Sequence, residues 1–171
     1  MNLEYRLVEE KDAEFILRLR TNPQLNIFLN RVPEDIESQV EWIKIYKTRE
    51  ALRKEFYYII FEHGKPCGTY RLYNINSISF TIGSWIFQPC SDLTIPIVTD
   101  LKFNDIGFND LKLDVLLFDV RKLNKKVLSY HLLKKPLLYN EDELNYYFLL
   151  TKSKWDKAYK NVIDYFGIEW P

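Results

Sequence analysis

Residues 56 to 62 read Phe-Tyr-Tyr-Ile-Ile-Phe-Glu, a strand-forming run that is apolar on both faces instead of alternating. A strand of this kind has to be covered from two sides. Behind it the chain continues through the turn residues His63 to Pro66, a second run from Cys67 to Tyr73, the turn Asn74 to Asn76, and a third run from Ile78 to Phe87. Three strands joined by short hairpins are predicted, with Gly64 and Pro66 marking the first turn. Because the first of them is apolar throughout, the meander belongs inside a sheet that carries helices on both faces.

The flanking segments supply those helices. A strand is read over residues 4 to 9, and a helix follows Asp12, with Phe15, Ile16 and Leu19 at helical spacing. A second helix over 34 to 51 follows without an intervening strand and carries Ile36, Val40, Ile43 and Tyr46 on one stripe. Beyond the meander, residues 94 to 106 read as a helix closed by a left-handed Gly107, and 111 to 120 as a strand. A helix beginning at Asn124, strands at 137 to 139 and 144 to 151, and a last helix from about Ser153 complete the order β-α-α-β-β-β-α-β-α-β-β-α. In that last helix Trp155, Tyr159, Val162 and Tyr165 are expected to face inward. There is no repeat or linker, and a chain of 171 residues fits one domain, residues 1–171.

Composition removes several function classes. The 24 basic and 24 acidic residues cancel, so no overall field draws the chain to nucleic acid or to an anionic membrane. The two cysteines, Cys67 and Cys90, have no zinc-type spacing, and no metal site is expected. No apolar run reaches the ~18 residues of a membrane span, and the start does not resemble a signal peptide. A cytoplasmic setting is expected.

Four stretches, "GTYRLY" (68–73), "IGSWIF" (82–87), "LKFNDIGFNDLKLDV" (101–115) and "NKKVLSYHLLKK" (124–135), together with the element order, resemble the GNAT family of acetyl-CoA-dependent N-acetyltransferases. "LRTNP" (19–23) and "ESQVEWI" (37–43) are similar to its ribosomal-protein and amino-sugar branch, where the second segment often has His in place of Gln39. The resemblance implies an α/β (α+β) GNAT fold: a central, mixed, mostly antiparallel twisted sheet of about seven strands, helices on both faces, and strands 4 and 5 splayed for the cofactor. Acetyl-CoA is then the expected cofactor, its pantetheine arm lying along Trp85, Ile86 and Phe87 like an added strand. Gly83 would permit the bulge or close approach that the gap needs.

The family's phosphate loop usually reads Gln or Arg, two residues, Gly, one residue, Gly or Ala, so that backbone N–H groups face the pyrophosphate. Here the corresponding stretch is "QPCSDLTIP" (88–96), which has no glycine. Ser91, Asp92, Leu93 and Thr94 stand at the cofactor phosphates, and Asn124 and Lys126 at the start of the following helix complete the cofactor contacts that the resemblance implies.

Spacing selects between the two candidate acids of that helix, Tyr130 and His131. At about 100° per residue His131, seven positions on, lies ~20° from the face of Asn124, whereas Tyr130 lies about 120° away. His131 therefore takes the position near the cofactor sulfur where the family commonly has Tyr, and Tyr130 packs. An imidazole with an ordinary pKa of ~6.5 could move protons near neutrality. For the base, the sequence leaves open a water chain, Glu34 or Glu37. Arg20, Asn22, Tyr70 and Arg71 are expected around the acceptor.

The expected activity is acetyl transfer from acetyl-CoA to a primary amine by direct attack, the acceptor being a small molecule, most suggestively a nucleotide-linked amino sugar. Two alternatives stay open: acetylation of a protein or peptide N-terminus, and a non-catalytic GNAT-fold interaction module whose glycine-free loop no longer holds the cofactor. Either a monomer or a homodimer is compatible with the sequence.

Overall fold

The computed structural model describes residues 3–90 and 92–169. Seven strands form a single sheet in the order β1-β2-β3-β4-β5-β7-β6. They are β1 (Glu4–Leu7), β2 (Phe56–Glu62), β3 (Lys65–Tyr73), β4 (Ser79–Phe87), β5 (Val115–Arg121), β6 (Leu137–Glu141) and β7 (Asn145–Thr151). Every neighbouring pair is antiparallel except β4 and β5, which run parallel. The expected mixed sheet with helices on both faces is what the chain forms.

The doubly apolar β2 is covered from both sides, as its composition requires. Tyr57 and Ile59 pack against α1 (Ala13–Thr21) and α2 (Ile36–Ala51), in a core with Ile16, Leu19, Ile43 and Tyr46. Ile60, on the other face, joins a second and larger core with α3 (Ile95–Asp105), α4 (Lys125–Leu132) and α5 (Lys152–Phe166), built around Tyr70, Phe103, Leu116, Tyr130 and Trp155. Helix α2 begins at Ile36, two residues later than the start read at 34, because Asp35 caps it, its side chain accepting a hydrogen bond from Ser38 N at 2.7 Å.

Three further details differ from the sequence reading. Gly107 does not close α3 in a left-handed conformation. The chain runs on through a π-helical turn (Ile106–Asp110), and the left-handed residue is Lys112, with φ 57°. Gly107 is required instead by packing, since a Cβ there would lie 2.2 Å from Phe80 Cζ on β4. This turn uses residues read as strand, so β5 begins only at Val115. In α5, Trp155 and Val162 face the core, but Tyr165 points to solvent at 70% exposure. Helix α5 ends at Gly167, whose φ of 62° is the left-handed cap.

Candidate active site

Strands β4 and β5 pair through only three residues each, Ser79 to Thr81 with Val115 to Leu117. Past Thr81 and Leu117 they part: β4 runs on to Phe87 with β3 as its strand neighbour, and β5 runs on to Arg121 beside β7. A bulge sharpens the fork. Arg71 pairs with Gly83 and Thr69 with Ile86, so Ser84 and Trp85 together stand opposite Tyr70. The residue with the left-handed backbone is Ser84, φ 48°, and Thr69 Oγ1 donates to its carbonyl oxygen at 2.7 Å. Gly83, expected to host the bulge, sits one residue earlier, where a Cβ would come within 3.0 Å of the Tyr73 ring. Close approach is its role. The Trp85 ring is held over the start of α3 by a hydrogen bond from Nε1 to Pro96 O at 3.0 Å.

At the fork lies a cleft of about 430 Å³, lined by Arg20 of α1, Gln39 and Trp42 of α2, Arg71 and Tyr73 of β3, Gly83 to Trp85, Asp119 and Arg121 of β5, and Asn124 and His131. The loop between α1 and α2 forms one wall and is tied to β5. Arg121 Nη2 donates to Asn30 Oδ1 at 2.7 Å, and Arg20 Nη2 donates to Asn30 O at 3.2 Å. The cleft is rich in cations. Arg20 Nε is buried without a hydrogen-bond partner among the described residues, and burial, with Arg71 nearby, pushes its guanidinium pKa down. Arg71 stands 3.6 Å from Glu55, too far for a hydrogen bond, and lies over the Tyr73 ring at 4.2 Å and the Trp42 ring at 5.5 Å.

Asn124 caps α4, its Oδ1 accepting from Val127 N at 3.3 Å, and lines the cleft. His131 is 3% exposed among the rings of Phe118 (4.5 Å), Tyr130 (5.0 Å) and Trp85 (5.6 Å), and its Nδ1 has no hydrogen-bond partner among the described residues. Burial, reinforced by Lys134, pushes the imidazole down to about 3 against the pull of Asp100. The imidazole is therefore neutral at neutral pH, and the expected titration near neutrality is not met because the ring is dry. A neutral ring still carries one N–H and one lone pair.

Tyr130 does not reach the cleft. Its hydroxyl donates to Asp100 Oδ2 at 2.5 Å, in a fully buried cluster where Tyr70 OH and Lys134 Nζ also reach Asp100, at 2.7 and 2.6 Å. Tyr70, expected beside the acceptor, is thus in the opposite core. Asn22 is a turn residue whose Oδ1 accepts from Gln24 N at 2.9 Å, and it is not part of the cleft lining. Ile86 is buried against α1 and α2, Phe87 covers Gly68, and Lys126 is exposed outside the cleft. Ser91 lies outside the described residues. Glu37 is exposed away from the cleft, and Glu34 lines an adjoining cavity.

At the phosphate loop, Asp92 N donates to Glu62 Oε1 at 3.1 Å, and Asp92 Oδ1 accepts from Thr94 N at 2.8 Å and Thr94 Oγ1 at 2.6 Å. Two amides that an anion could use thus already face carboxylates. Leu93 is 84% exposed. Among the described residues, no cluster of metal-ligating side chains is present, and no helix is long and apolar enough to cross a membrane.

Trp42, Tyr73, Asp119 and Arg121 were not anticipated at the site. The signal for the β5 pair was alternation: Leu116, Phe118 and Val120 are buried, which turns Asp119 and Arg121 to the other face. An extended, amide-bearing arm fits the fork, since β4 past the bulge has no strand on its β5 side and both Asn124 and His131 line the same gap.

Residues 2–131 match the family profile described as an acetyltransferase (GNAT) domain. Among solved structures the chain is similar to apo FdhC, a nucleotide-linked sugar GNAT, with 40% identity, TM-score 0.82, and coverage of 95% of this chain and 92% of that one. It also resembles Campylobacter jejuni N-acetyltransferase PseH in complex with acetyl coenzyme A (19% identity, TM-score 0.67, 88% and 99% covered). A third likeness is to the ribosomal-protein-S5-alanine acetyltransferase from Vibrio fischeri (14% identity, TM-score 0.75, 91% and 96% covered). No curated protein sequence matches the chain.

Proposed function

The chain belongs to the GNAT acetyltransferase family, and from that premise we propose that residues 1–171 act as one unit that moves an acetyl group from acetyl-CoA to the primary amine of a nucleotide-linked amino sugar. The observation that carries the acceptor is the trio Arg20, Arg71 and Arg121 in one cleft, with the buried Arg20 Nε lacking a hydrogen-bond partner among the described residues. Guanidinium groups that are planar, always charged and incompletely paired match the diphosphate of such an acceptor, which accepts bidentate, charge-assisted hydrogen bonds. Trp42 and Tyr73 add ring faces to the same wall. The 40% identity to a nucleotide-linked sugar GNAT supports the same acceptor class.

The roles follow from position. When bound, acetyl-CoA supplies an activated acetyl thioester. Asn124 and the free edge of β4 would hold its amide-bearing arm, with Trp85, pinned to Pro96, closing one side. His131, neutral and dry, offers one N–H towards the sulfur end of the gap and lends no net positive charge. Attack by the amine is direct, with no covalent enzyme intermediate.

One observation favours the non-catalytic reading. The phosphate loop holds Asp92 and Glu62 where the family presents free amides, so anion binding there is weakened. A single panel separates the readings: acetyl transfer is measured with nucleoside-diphosphate-linked amino sugars, free amino sugars and N-terminal peptides. The nucleotide-linked class is expected to be used best. Arg71→Met is expected to raise KM for it about 10- to 100-fold with little change in kcat, as for loss of a charged hydrogen bond. Preference for free sugars or peptides contradicts the proposed acceptor, and no transfer to any amine contradicts the enzyme reading.

A further inference from the structure

The geometry points to Asp119 as the catalytic base that takes the proton from the acceptor amine, an inference that rests on the acetyltransferase reading above. Thr81 opposite Leu117 is the last pairing before β4 and β5 part. Two residues further on, on the same face of the sheet, stand Gly83 on β4 and Asp119 on β5, and both line the cleft. The Tyr73 ring lies over Gly83, and Asp119 lines the cleft just past the apex, on the face of β5 opposite the one that Phe118 turns to His131. Among the described residues lining this cleft it is the one carboxylate. The glutamates that the sequence offers for the task lie elsewhere, Glu34 in the adjoining cavity and Glu37 on the exposed side of α2.

Its surroundings suit a base. Arg121 on its own strand, Asp142 in the turn after β6, Tyr73 on β3 and Tyr147 on β7 are the titratable groups that act on it, while Arg20 and His131 line the cleft from α1 and α4. Asp119 is exposed at the cleft, and the protein packed around its carboxyl pushes it up, Asp142 adding to this and Arg121 opposing. Among the described residues, no lysine or arginine hydrogen-bonds the carboxylate. It is therefore free to meet an ammonium group.

The step balances without a further reactant. The Asp119 carboxylate takes one proton from the ammonium of the acceptor. The freed lone pair forms the N–C bond to the thioester carbonyl carbon while the C–S bond breaks, its electron pair leaving with sulfur. The second proton of the nitrogen passes to sulfur, giving the free thiol, and Asp119 returns its proton to water.

Asp119→Asn keeps the side-chain shape and removes the base. With the nucleotide-linked amino sugar that the wild type acetylates fastest, kcat is expected to fall about 100-fold at about pH 7. The loss is expected to shrink towards about pH 9.5, where solvent has already deprotonated the amine. Without acetyl-CoA, calorimetry is expected to show about 10-fold weaker binding of the same amino sugar nucleotide to the variant, and unchanged binding of the analogue carrying hydroxyl for amine. A variant that keeps the wild-type kcat across this pH range, beside an active wild type, overturns the inference alone. A wild type that acetylates no amine overturns the acetyltransferase reading and this inference with it.

Discussion

Lys134→Ala is expected to lower the unfolding free energy by about 3–5 kcal/mol and the melting temperature by about 8–16 °C. Lys134 and Asp100 form an ion pair at 2.6 Å in which both side chains are completely buried. Around it Tyr70 and Tyr130 donate to Asp100 at 2.7 and 2.5 Å, and Asn104 Nδ2 donates at 2.9 Å. Burial alone would push the Asp100 carboxyl up. Lys134, with the hydrogen bond from Tyr130, more than cancels this and holds it below the usual range, so Asp100 is ionised. Removing the lysine leaves a buried carboxylate with no counter-charge. The double variant Asp100→Asn, Lys134→Met, which removes both charges, is expected to be more stable than Lys134→Ala, because the cost lies in the stranded charge and not in the pair's net value. Chemical denaturation of the three proteins checks this. Equal stability of Lys134→Ala and wild type would deny that Asp100 needs its partner. The cluster joins β3, α3 and α4, so it also fixes the helix that carries His131.

A second large effect is expected on acidification. The His131 imidazole is pushed down to about 3 in the fold, while an unfolded histidine titrates near ~6.5. Between these values the unfolded chain binds the proton and the folded chain does not, so stability contributed by the neutral ring is complete above ~6.5 and is lost as pH falls. The loss amounts to about 3 kcal/mol at about pH 4.5 and about 4 kcal/mol at about pH 3. His131→Gln, which does not titrate, is expected to flatten the curve between about pH 6.5 and 4.5, a window above the range of ordinary carboxylates. Urea unfolding across that window is the measurement. A wild type whose stability is flat there would mean that the ring is solvated.

Which parts of this molecule could be read in the sequence follows from the physics of each signal. The apolar run of β2 announces a strand covered twice, and both covering layers are there. Helical spacing from Asn124 was enough to bring His131 to the cleft and to turn Tyr130 into the core, because 3.6 residues per turn is a property of the backbone and not of the neighbours. The bulge was less legible. Glycine drew attention to Gly83, but the left-handed residue is Ser84, held by Thr69 Oγ1 from the next strand. Gly107 misled in a similar way, since its lack of a Cβ answers to Phe80, more than twenty positions away. Asp119 was legible as an outward-facing residue of β5, but its importance depends on where β4 and β5 separate. That is set by pairing between strands and is not written in either of them alone.

Acetyl-CoA is expected in the fork between β4 and β5, with its acetyl group towards the cleft of Arg20, Arg71 and Arg121. Calorimetric titration of the full chain with acetyl-CoA, paired with a thermal-shift series, tests this most directly. One-to-one binding is predicted, with a melting temperature that rises with ligand as mass action requires, by about 2.7 kcal/mol of stabilisation at 100 times Kd. Neither heat nor stabilisation at millimolar acetyl-CoA would contradict it.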